Sequence, residues 1–452
     1  MGAQPTKPER EEADALRRNV ANACSEAADA ILDADVLLLA TGAGWSAESG
    51  LAVYRDIAKV EAYATRELTY RELCVPQWLR NEPALFWGFW GLCFNDYRKT
   101  KPHAGYGLLK EWRDAKFAAN DTSQFIAERI VSQETQPSLE DLKNEEEAFA
   151  NILKVPGAFF AFTSNVDAHF YDVLDAGEIR ECHGNVELYQ CGGRRVVLED
   201  EGEETVVHSS KKCSRSVWRA PRDMRPYAVN TDTMLAKDGA RGAEGVKTAP
   251  TEKATIGHTH GAARDATLRH MPPPLIDRAP HFEKNWPTCP RCGGRARPAI
   301  LMFEDADWVD SAMQDRHYRE WTQAVRWLAT ETKGTEDPLK VVVLEVGAGG
   351  NVTTVRHESE SVFRNADAIS TTVIRVNPEL PLPDNDAEKL AAGRVRFVSI
   401  MSGGLDAVRR IDACLRARRP DLFESAYAAL SGYEAIGEEL GDYHLDDNAG
   451  DE

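Results

Sequence analysis

The sequence predicts an α/β fold: an open, doubly wound parallel sheet flanked by helices, joined to a second, smaller domain. Three observations carry this. Five apolar runs are continuous rather than alternating, as in strands buried on both faces. They are DVLLLAT at 35–41, AFFAFTS at 158–164, KVVVLEVG at 340–347, STTVIRVN at 370–377 and VRFVSI at 395–400. Each is followed by a turn signal or a helical stretch, the alternation that builds a parallel sheet. Two long interruptions, 58–149 and 185–298, separate the strands and supply the second domain.

In chain order, residues 1–19, opening MGAQPTKPEREEADALRR, read as a disordered start. MGAQPT also fits the Met-Gly-x-x-x-Ser/Thr pattern for myristoylation of Gly2, but one acyl chain anchors only marginally and reversibly. Residues 20–57, 150–184 and 299–420 form a discontinuous sheet domain. Its last helix places Leu405, Val408, Ile411 and Leu415 on one face. Residues 58–149 read as a helical insertion, aromatic-rich in LFWGFWGLCFNDYR and charged in SLEDLKNEEEAFANIL. Residues 185–298 carry few apolar side chains, much Gly, Pro, Arg and Lys, and four cysteines. Within them 225–285 reads as irregular or mobile, since its composition buries too little surface to offset chain entropy. Residues 421–452 form an acidic C-terminal helix or tail, and no internal repeat is present.

Composition excludes several classes. In 452 residues, 54 Lys plus Arg against 73 Asp plus Glu give a net charge of -19. Wrapping nucleic acid needs clustered positive charge, so nucleic acid is not an expected partner. The basic run KKCSRSVWRAPRDMR at 211–225 reads as a solvated loop, with a nucleic-acid or nuclear-import patch as the alternative. No apolar run reaches the 18 residues of a membrane span. The first residues lack the apolar centre of a secretory signal, which points to an intracellular protein of cytoplasm or nucleus. Nine cysteines in this length are not a disulfide scaffold, so paired ones read as metal ligands or buried packing groups.

Strand 35–41 runs straight into GAGWSAESG, Gly42 to Gly50. A Gly-rich turn between strand and helix lets backbone N–H groups approach a pyrophosphate, and the helix dipole favours the charge. Gly42 and Gly44 would permit the tight turn, and Ser46 is expected to cap the helix. An ordinary strand-to-helix turn is the alternative for this segment alone.

Its continuation, GAGWSAESGLAVYRD, resembles the signature that opens the sirtuin catalytic core. Four further segments follow in that family's order: TSNVDAH at 163–169, ECHGN at 181–185, a set of cysteines ending in CPRCGGRARPAILMFED, and the pair VGAGGNV at 346–352 and RVNPELP at 375–381. The resemblance covers residues 20–57, 150–215 and 285–416. It implies a Rossmann-like domain that binds NAD in a groove shared with a small zinc domain. It implies an acyl-lysine protein or peptide as substrate, the acyl oxygen attacking ribose C1′ as nicotinamide leaves to give O-acyl-ADP-ribose. His183 holds the place of the family's general base, a group suited to moving a ribose proton near neutral pH. Asn165 and Asp167 match residues that orient the ribose and the nicotinamide amide; an Asx turn closing the strand fits the same residues. His169 falls one residue early and is expected to support the loop. Tyr54 and Arg55 match an aromatic-Arg pair that shields the ribose centre and steadies the phosphates. The implied cofactor set is Gly42, Ala43, Gly44, Ser46, Tyr54, Arg55, Ser164, Asn165, Asp167, Gly347, Gly349 and Asn377, the last on the adenosine ribose.

The chain departs from that pattern at named positions. Ser164 stands for a usual Gln, Ala52 for a Pro, Ala348 and Gly349 for Thr-Ser, and Glu304 for a Gly in the strand that pairs with substrate peptide. Backbone N–H groups of the loop 347–350 could replace the lost hydroxyls. ADP-ribosyl transfer, NAD hydrolysis, and a non-catalytic NAD-binding sensor or scaffold remain alternatives to deacylation.

Cys289-Pro-Arg-Cys292-Gly-Gly has the spacing of a zinc knuckle half. Cys191 and Cys213 are expected to complete a structural four-cysteine Zn2+ site despite the inserts 192–212 and 214–288. Rival ligand sets would use His208, His258 or His260. Cys24, Cys74, Cys93 and Cys414 read as packing residues, and Cys182 as packing with a redox-sensitive role as the alternative. Phe86–Trp90, FWGFW, reads as helix core, with the wall of an acyl pocket as the alternative.

Overall fold

The computed structural model describes residues 7–52, 59–118, 120–133, 155–200, 203–208, 211–215, 217–219, 226–237, 282–283, 286–332, 338–364, 366, 368–385 and 395–423. Strands β1 (Val36–Thr41), β2 (Phe159–Thr163), β3 (Ile179–Glu181), β4 (Gly184–Gly193), β5 (Val217–Arg219), β6 (Arg295–Ile300), β7 (Leu339–Val346), β8 (Ile369–Val376) and β9 (Val395–Ile400) build two sheets. The larger is parallel throughout, in the order β9-β8-β7-β1-β2-β3. The chain starts at β1, steps outward through β2 and β3, then returns to the other side of β1 with β7, β8 and β9. A sheet wound both ways from its first strand opens a crevice beyond the carboxyl ends of the two strands that part, here β1 and β7. Every residue of β1 and β2 is buried, which is why both read as unbroken apolar runs.

The helices used below are α1 (Arg10–Arg18), α2 (Val20–Asp33), α3 (Ala43–Ala47), α4 (Pro83–Lys99), α5 (Ala104–Trp112), α6 (Asp121–Gln133), α7 (Ala312–Glu331), α8 (Thr354–Ser361) and α9 (Gly404–Arg418). α2 packs on α9 through Ala27, Ala28 and Ile31 against Val408, Ile411 and Leu415, in the same core as the large sheet; Leu405 is half-buried. The smaller sheet is antiparallel, in the order β6-β4-β5, and shares a second apolar core with the aromatic face of α4. The fold is thus the α/β architecture read from the sequence: a Rossmann-like parallel sheet with a smaller sheet-and-helix unit beside it.

Three local differences have physical causes. The start is not disordered from residue 7 onward, because α1 carries Glu11 and Glu12 in its first turn and Arg17 and Arg18 in its last, charges that oppose the helix dipole at both ends. Part of 225–285 is ordered: Val229–Asn230 pairs with Leu235–Ala236, and the Tyr227 ring stacks on Trp87 at 5.2 Å. Gly88 and Gly91 make room for this segment, since a Cβ would meet the Met234 carbonyl oxygen at 2.0 Å or the Tyr227 ring at 2.6 Å. Finally, β3 is a sixth strand that was not anticipated, because it has three residues and two are charged. Residues 238–281 and 424–452, most of the long insert and the acidic tail, lie outside the described residues.

At the crevice the turns after β1 and β7 touch backbone to backbone. Gly42 N–H donates to the Val346 carbonyl at 3.0 Å, and Gly44 N–H to the Gly347 carbonyl at 2.9 Å. A Cβ on Gly42 would lie 2.6 Å from Ala348 Cα and 2.8 Å from the Gly347 oxygen, and neither can rotate aside. Gly347 itself has φ 68°, in the left-handed region. Gly42→Ala should therefore destabilise the protein by about 1–3 kcal/mol, the usual cost of overpacking, read as a lower urea midpoint with an unchanged slope.

Candidate functional site

A cleft opens beyond the carboxyl ends of β1 and β2, where open parallel sheets present ligand groups. Ala43 and Ser46 reach it from α3, Ser164, Asn165 and Asp167 from the turn after β2, and His183 from the turn between β3 and β4. Six residues proposed from the sequence therefore line one space. Gly42, Gly44, Gly347, Gly349 and Asn377 do not line it; they belong to the neighbouring crevice turns. Tyr54 and Arg55 lie outside the described residues.

Hydroxyl groups at the strand ends aim the β2 turn. Thr41 Oγ1 donates to Thr163 Oγ1 at 2.8 Å, and Thr163 Oγ1 accepts from Asn165 N–H at 3.0 Å. Asn165 is 5% exposed, yet neither its amide oxygen nor its amide nitrogen has a hydrogen-bond partner. An unpaired buried amide costs about 1–3 kcal/mol per group, so this side chain is built for a partner with a donor and an acceptor. Asp167 is already engaged: one oxygen accepts from Ser46 Oγ–H and the other from His169 N–H at 2.9 Å. Ser46 thus sits inside α3 and bonds Asp167 rather than capping the helix; Gly42 occupies the cap position. The cause is distance along the chain, because a capping side chain must precede the first turn. His169 is fully buried and serves this loop.

His183 is held below the ordinary imidazole range by burial first and by the Arg180 charge second, against an opposing backbone hydrogen bond with Ser164. Its ring is therefore neutral at pH 7. Nε2 faces Thr354 Oγ1, at the start of α8, across 3.4 Å. Gly184 follows with φ 78°, and a Cβ there would meet the Ala299 oxygen at 1.9 Å. Only glycine lets β4 lie against β6 directly after this histidine.

Asn377 is committed elsewhere. Its Nδ2 donates to the Ala348 carbonyl at 2.8 Å, and its Oδ1 accepts from Glu379 N–H and Leu380 N–H, each at 2.8 Å. It ties the turn after β8 to the turn after β7. Gly349 is exposed at the tip of that turn, with open space around its Cα.

The opposite wall of the cleft is apolar and includes residues that motif reading missed. Phe89, Trp90, Cys93 and Tyr97 come from one face of α4, with Tyr70, Val166 and Ile300 beside them. The signal was present: after FWGFW, Cys93 and Tyr97 continue the same face at helical spacing. Phe86 and Trp87 do not line the cleft; they pack in the second core, which Phe89, Trp90 and Cys93 also join. No lysine or arginine lines the cleft among the described residues.

Sulfur atoms gather at the far end of β4. Cys191, Cys213, Cys289 and Cys292 lie within 4.8 Å of one another, with Cys191–Cys292 at 3.9 Å and Cys213–Cys289 at 3.6 Å. A tetrahedral Zn–S bond of about 2.3 Å requires sulfur separations of about 3.8 Å, so the set fits zinc in distance and donor type. Cys213 N–H points at Cys191 Sγ from 3.3 Å, and Gly293, with φ 63°, turns the knuckle back. A hydrogen bond with Cys289 draws the Cys191 thiol down to about 5, and burial pushes Cys213 up to about 11. His208 is not among the gathered ligands, and His258 and His260 lie outside the described residues. Burial pushes three thiols outside this cluster up, Cys24 to about 11, Cys74 to about 12 and Cys182 to about 12, which suits packing and suppresses thiolate chemistry.

No protein-family profile matches the chain. No curated protein matches it. Among solved structures the chain is similar to a Sir2 homologue in complex with NAD, at 15% identity over 88% of this chain and 94% of that one, with a TM-score of 0.41. It is also similar to a triple mutant of a Sir2 homologue in complex with 2′-O-acetyl ADP ribose, at 14% identity over 88% and 97%, with a TM-score of 0.38. No helix among the described residues is long and apolar enough to cross a membrane.

Cys289→Ser should lower the metal content of purified protein and destabilise the small sheet, since structural zinc contributes folding energy directly. Metal analysis alongside thermal melting checks this; one zinc per wild-type chain is the expected stoichiometry.

Proposed function

We propose that the chain is a sirtuin-type, NAD-dependent lysine deacylase. The observation that carries the reading is Asn165: a buried carboxamide, both ends unpaired, lining a cleft at the carboxyl ends of parallel strands. A dinucleotide that ends in a carboxamide and a ribose offers a donor and an acceptor to match. NAD supplies an electrophilic ribose carbon once its nicotinamide departs. Asn165 would orient that end, and Asp167, fixed by Ser46 and His169, would hold the turn that presents it. Neutral His183 would take the proton of a ribose hydroxyl and return it later. The aromatic wall of α4 would exclude water from the reacting carbon and receive a neutral acyl group. With no lysine or arginine on the cleft among the described residues, phosphate charge would fall to backbone N–H groups of the two glycine turns. The four cysteines would hold structural Zn2+, closed and remote from the chemistry.

One observation favours a second reading, transfer of ADP-ribose to another acceptor. After β6 the chain does not continue as a strand. Leu301 N–H already donates to the His183 carbonyl, and Phe303 N–H to the Cys74 carbonyl, each at 2.9 Å. Glu304 then turns the backbone with φ 58°. Few backbone groups are left there to pair with a peptide.

Mass spectrometry of products from NAD and a panel of acylated peptides separates the readings. O-acyl-ADP-ribose supports deacylation; ADP-ribosylated protein or free ADP-ribose alone supports the second. His183→Ala should lower kcat by at least about 100-fold, the usual worth of a general base, while NAD still binds in calorimetry. Because folding depresses the His183 pKa, its base form should persist as pH falls below 6.5, and kcat should drop only further into acid. Full activity of His183→Ala would remove this histidine from the mechanism.

A further inference from the structure

His103 belongs to none of the motifs above, yet it is tied to the turn that carries Ala43 and Ser46. It precedes α5, and its Nδ1 accepts from Gly105 N–H at 3.0 Å, which makes the imidazole the cap of that helix. Its Nε2 lies 3.1 Å from the Trp45 carbonyl oxygen. Its own N–H donates to Ser49 Oγ at 3.1 Å. A ring that accepts an amide proton at Nδ1 and faces a carbonyl with Nε2 is neutral, with its proton on Nε2.

Packing allows the ring little freedom. Its edge meets fully buried Trp45 at 4.2 Å, and Tyr106 lies at 5.0 Å. A Cβ on Gly105 would fall 2.5 Å from the Trp45 ring and 2.7 Å from the His103 ring, so the glycine is needed for this contact. The imidazole and its backbone thus grip the turn at two places, Trp45 and Ser49. Between them lies Ser46, which bonds Asp167 on the other side of the cleft.

We propose that His103 is a positioning residue for the cleft: its neutral Nε2–H tautomer clamps the Trp45–Ser49 turn and thereby holds Ala43 and Ser46 in place for the dinucleotide. This rests on the NAD reading given above. Protonation would put a second N–H on Nδ1, pointing at Gly105 N–H, and would break the cap that orients the ring, although the Nε2–H bond to the Trp45 carbonyl itself favours the cation. Of the charged groups facing the ring, Glu48 favours the cation, while His169 and Arg409 oppose it; burial opposes it most, and the Tyr106 phenol ring packs alongside. The folded-state pKa is thus depressed, so the neutral ring and its cap persist as pH falls through 6.5, and the clamp loosens only further into acid.

His103→Asn tests this. Asn offers a side-chain oxygen to Gly105 N–H and keeps the cap, but it is too short to reach the Trp45 carbonyl. Hydrogen exchange of residues 42–52, normalised to intrinsic rates, is followed from about pH 7.5 to about 4.5 beside calorimetric titration with NAD. Turnover is not the readout, because His183 titrates in the same direction. In wild type, protection of 42–52 should fall several-fold on acidification. In His103→Asn it should already be low at neutral pH and stay flat, the melting temperature should hold, and the NAD dissociation constant should rise about fivefold to tenfold, the worth of one hydrogen bond. His103→Ala, lacking the cap as well, should melt lower. Wild-type protection in His103→Asn, or acid loosening that persists undiminished in it, overturns the proposal. If wild type binds no NAD at any pH, the cofactor reading fails, while the exchange data still decide the clamp.

Discussion

The turn after β1 rests on the turn after β7 with no side chain between them, and the polar side of the cleft is placed from that contact. Gly42 and Gly44 donate to Val346 and Gly347, which fixes where α3 starts. α3 then carries Ser46 to Asp167, and the Thr41–Thr163 hydroxyl bond sets β1 against β2 one residue before the turn that holds Asn165. A displacement of either glycine turn would move the cleft-facing backbone and the Asn165 turn together. Glycine here serves close approach of two main chains, independently of any phosphate. The same residues can do both, since a turn without side chains is open on its outer face too.

Below this contact the apolar core of the large sheet also encloses a buried charge network spanning β7, β8 and α8. Glu345 on β7 and Arg375 on β8 are register partners, both fully buried, with an ion pair of 2.6 Å. Arg356 of α8 binds Asp384 at 2.7 Å and also donates to the Leu380 and Leu382 carbonyls. Glu360 accepts from Asp384 N–H and Asn385 N–H at 2.7 and 3.1 Å. Buried ion pairs of this kind add little net stability over a packed apolar cluster, because desolvation offsets the attraction. Their consequence is geometric: guanidinium donors pin the Leu380 and Leu382 carbonyls, and Asn377 then ties that segment to Ala348. An apolar cluster of equal volume would leave those carbonyls unsatisfied.

The parts of the fold that follow from apolar burial could be read directly from the chain. β1, β2 and β7 are continuous runs because both faces are covered, whereas β8 and β9 keep exposed positions at Ser370 and Arg396, and the strand order is set by tertiary packing. β3 escaped because Arg180 and Glu181 look solvent-exposed in sequence; their burial depends on Asp310 and Gln314, far along the chain. The same limit applies at the site. Asn165, Asp167 and His183 stand in recognisable motifs, but the bonds of Ser46 to Asp167 and of Asn377 to Ala348 are set by tertiary contacts and have no signal in the sequence. His103 carried no motif at all. Its role depends on a glycine two residues later and on Trp45 across a loop, and neither relation has a sequence period.

The distant cysteine cluster bears on the cleft through strand register. β4 runs from Gly184, next to His183, to the neighbourhood of Cys191, and it pairs with β6 along this length. Cys289 and Cys292 stand just before β6, and Leu301, whose N–H holds the His183 carbonyl, stands just after it. Both ends of one two-stranded ladder are therefore fastened, one by sulfur and one by the histidine's own backbone. A slip of one residue in such a ladder would reverse every side chain on it, and the breaks in pairing at Arg295/Ala296 and Pro298/Ala299 make the register uneven enough to need fixing. A cation joining Cys191 to Cys289 would forbid that slip. A metal held there would thus fix where His183 sits without touching it, through the backbone hydrogen bonds of two strands.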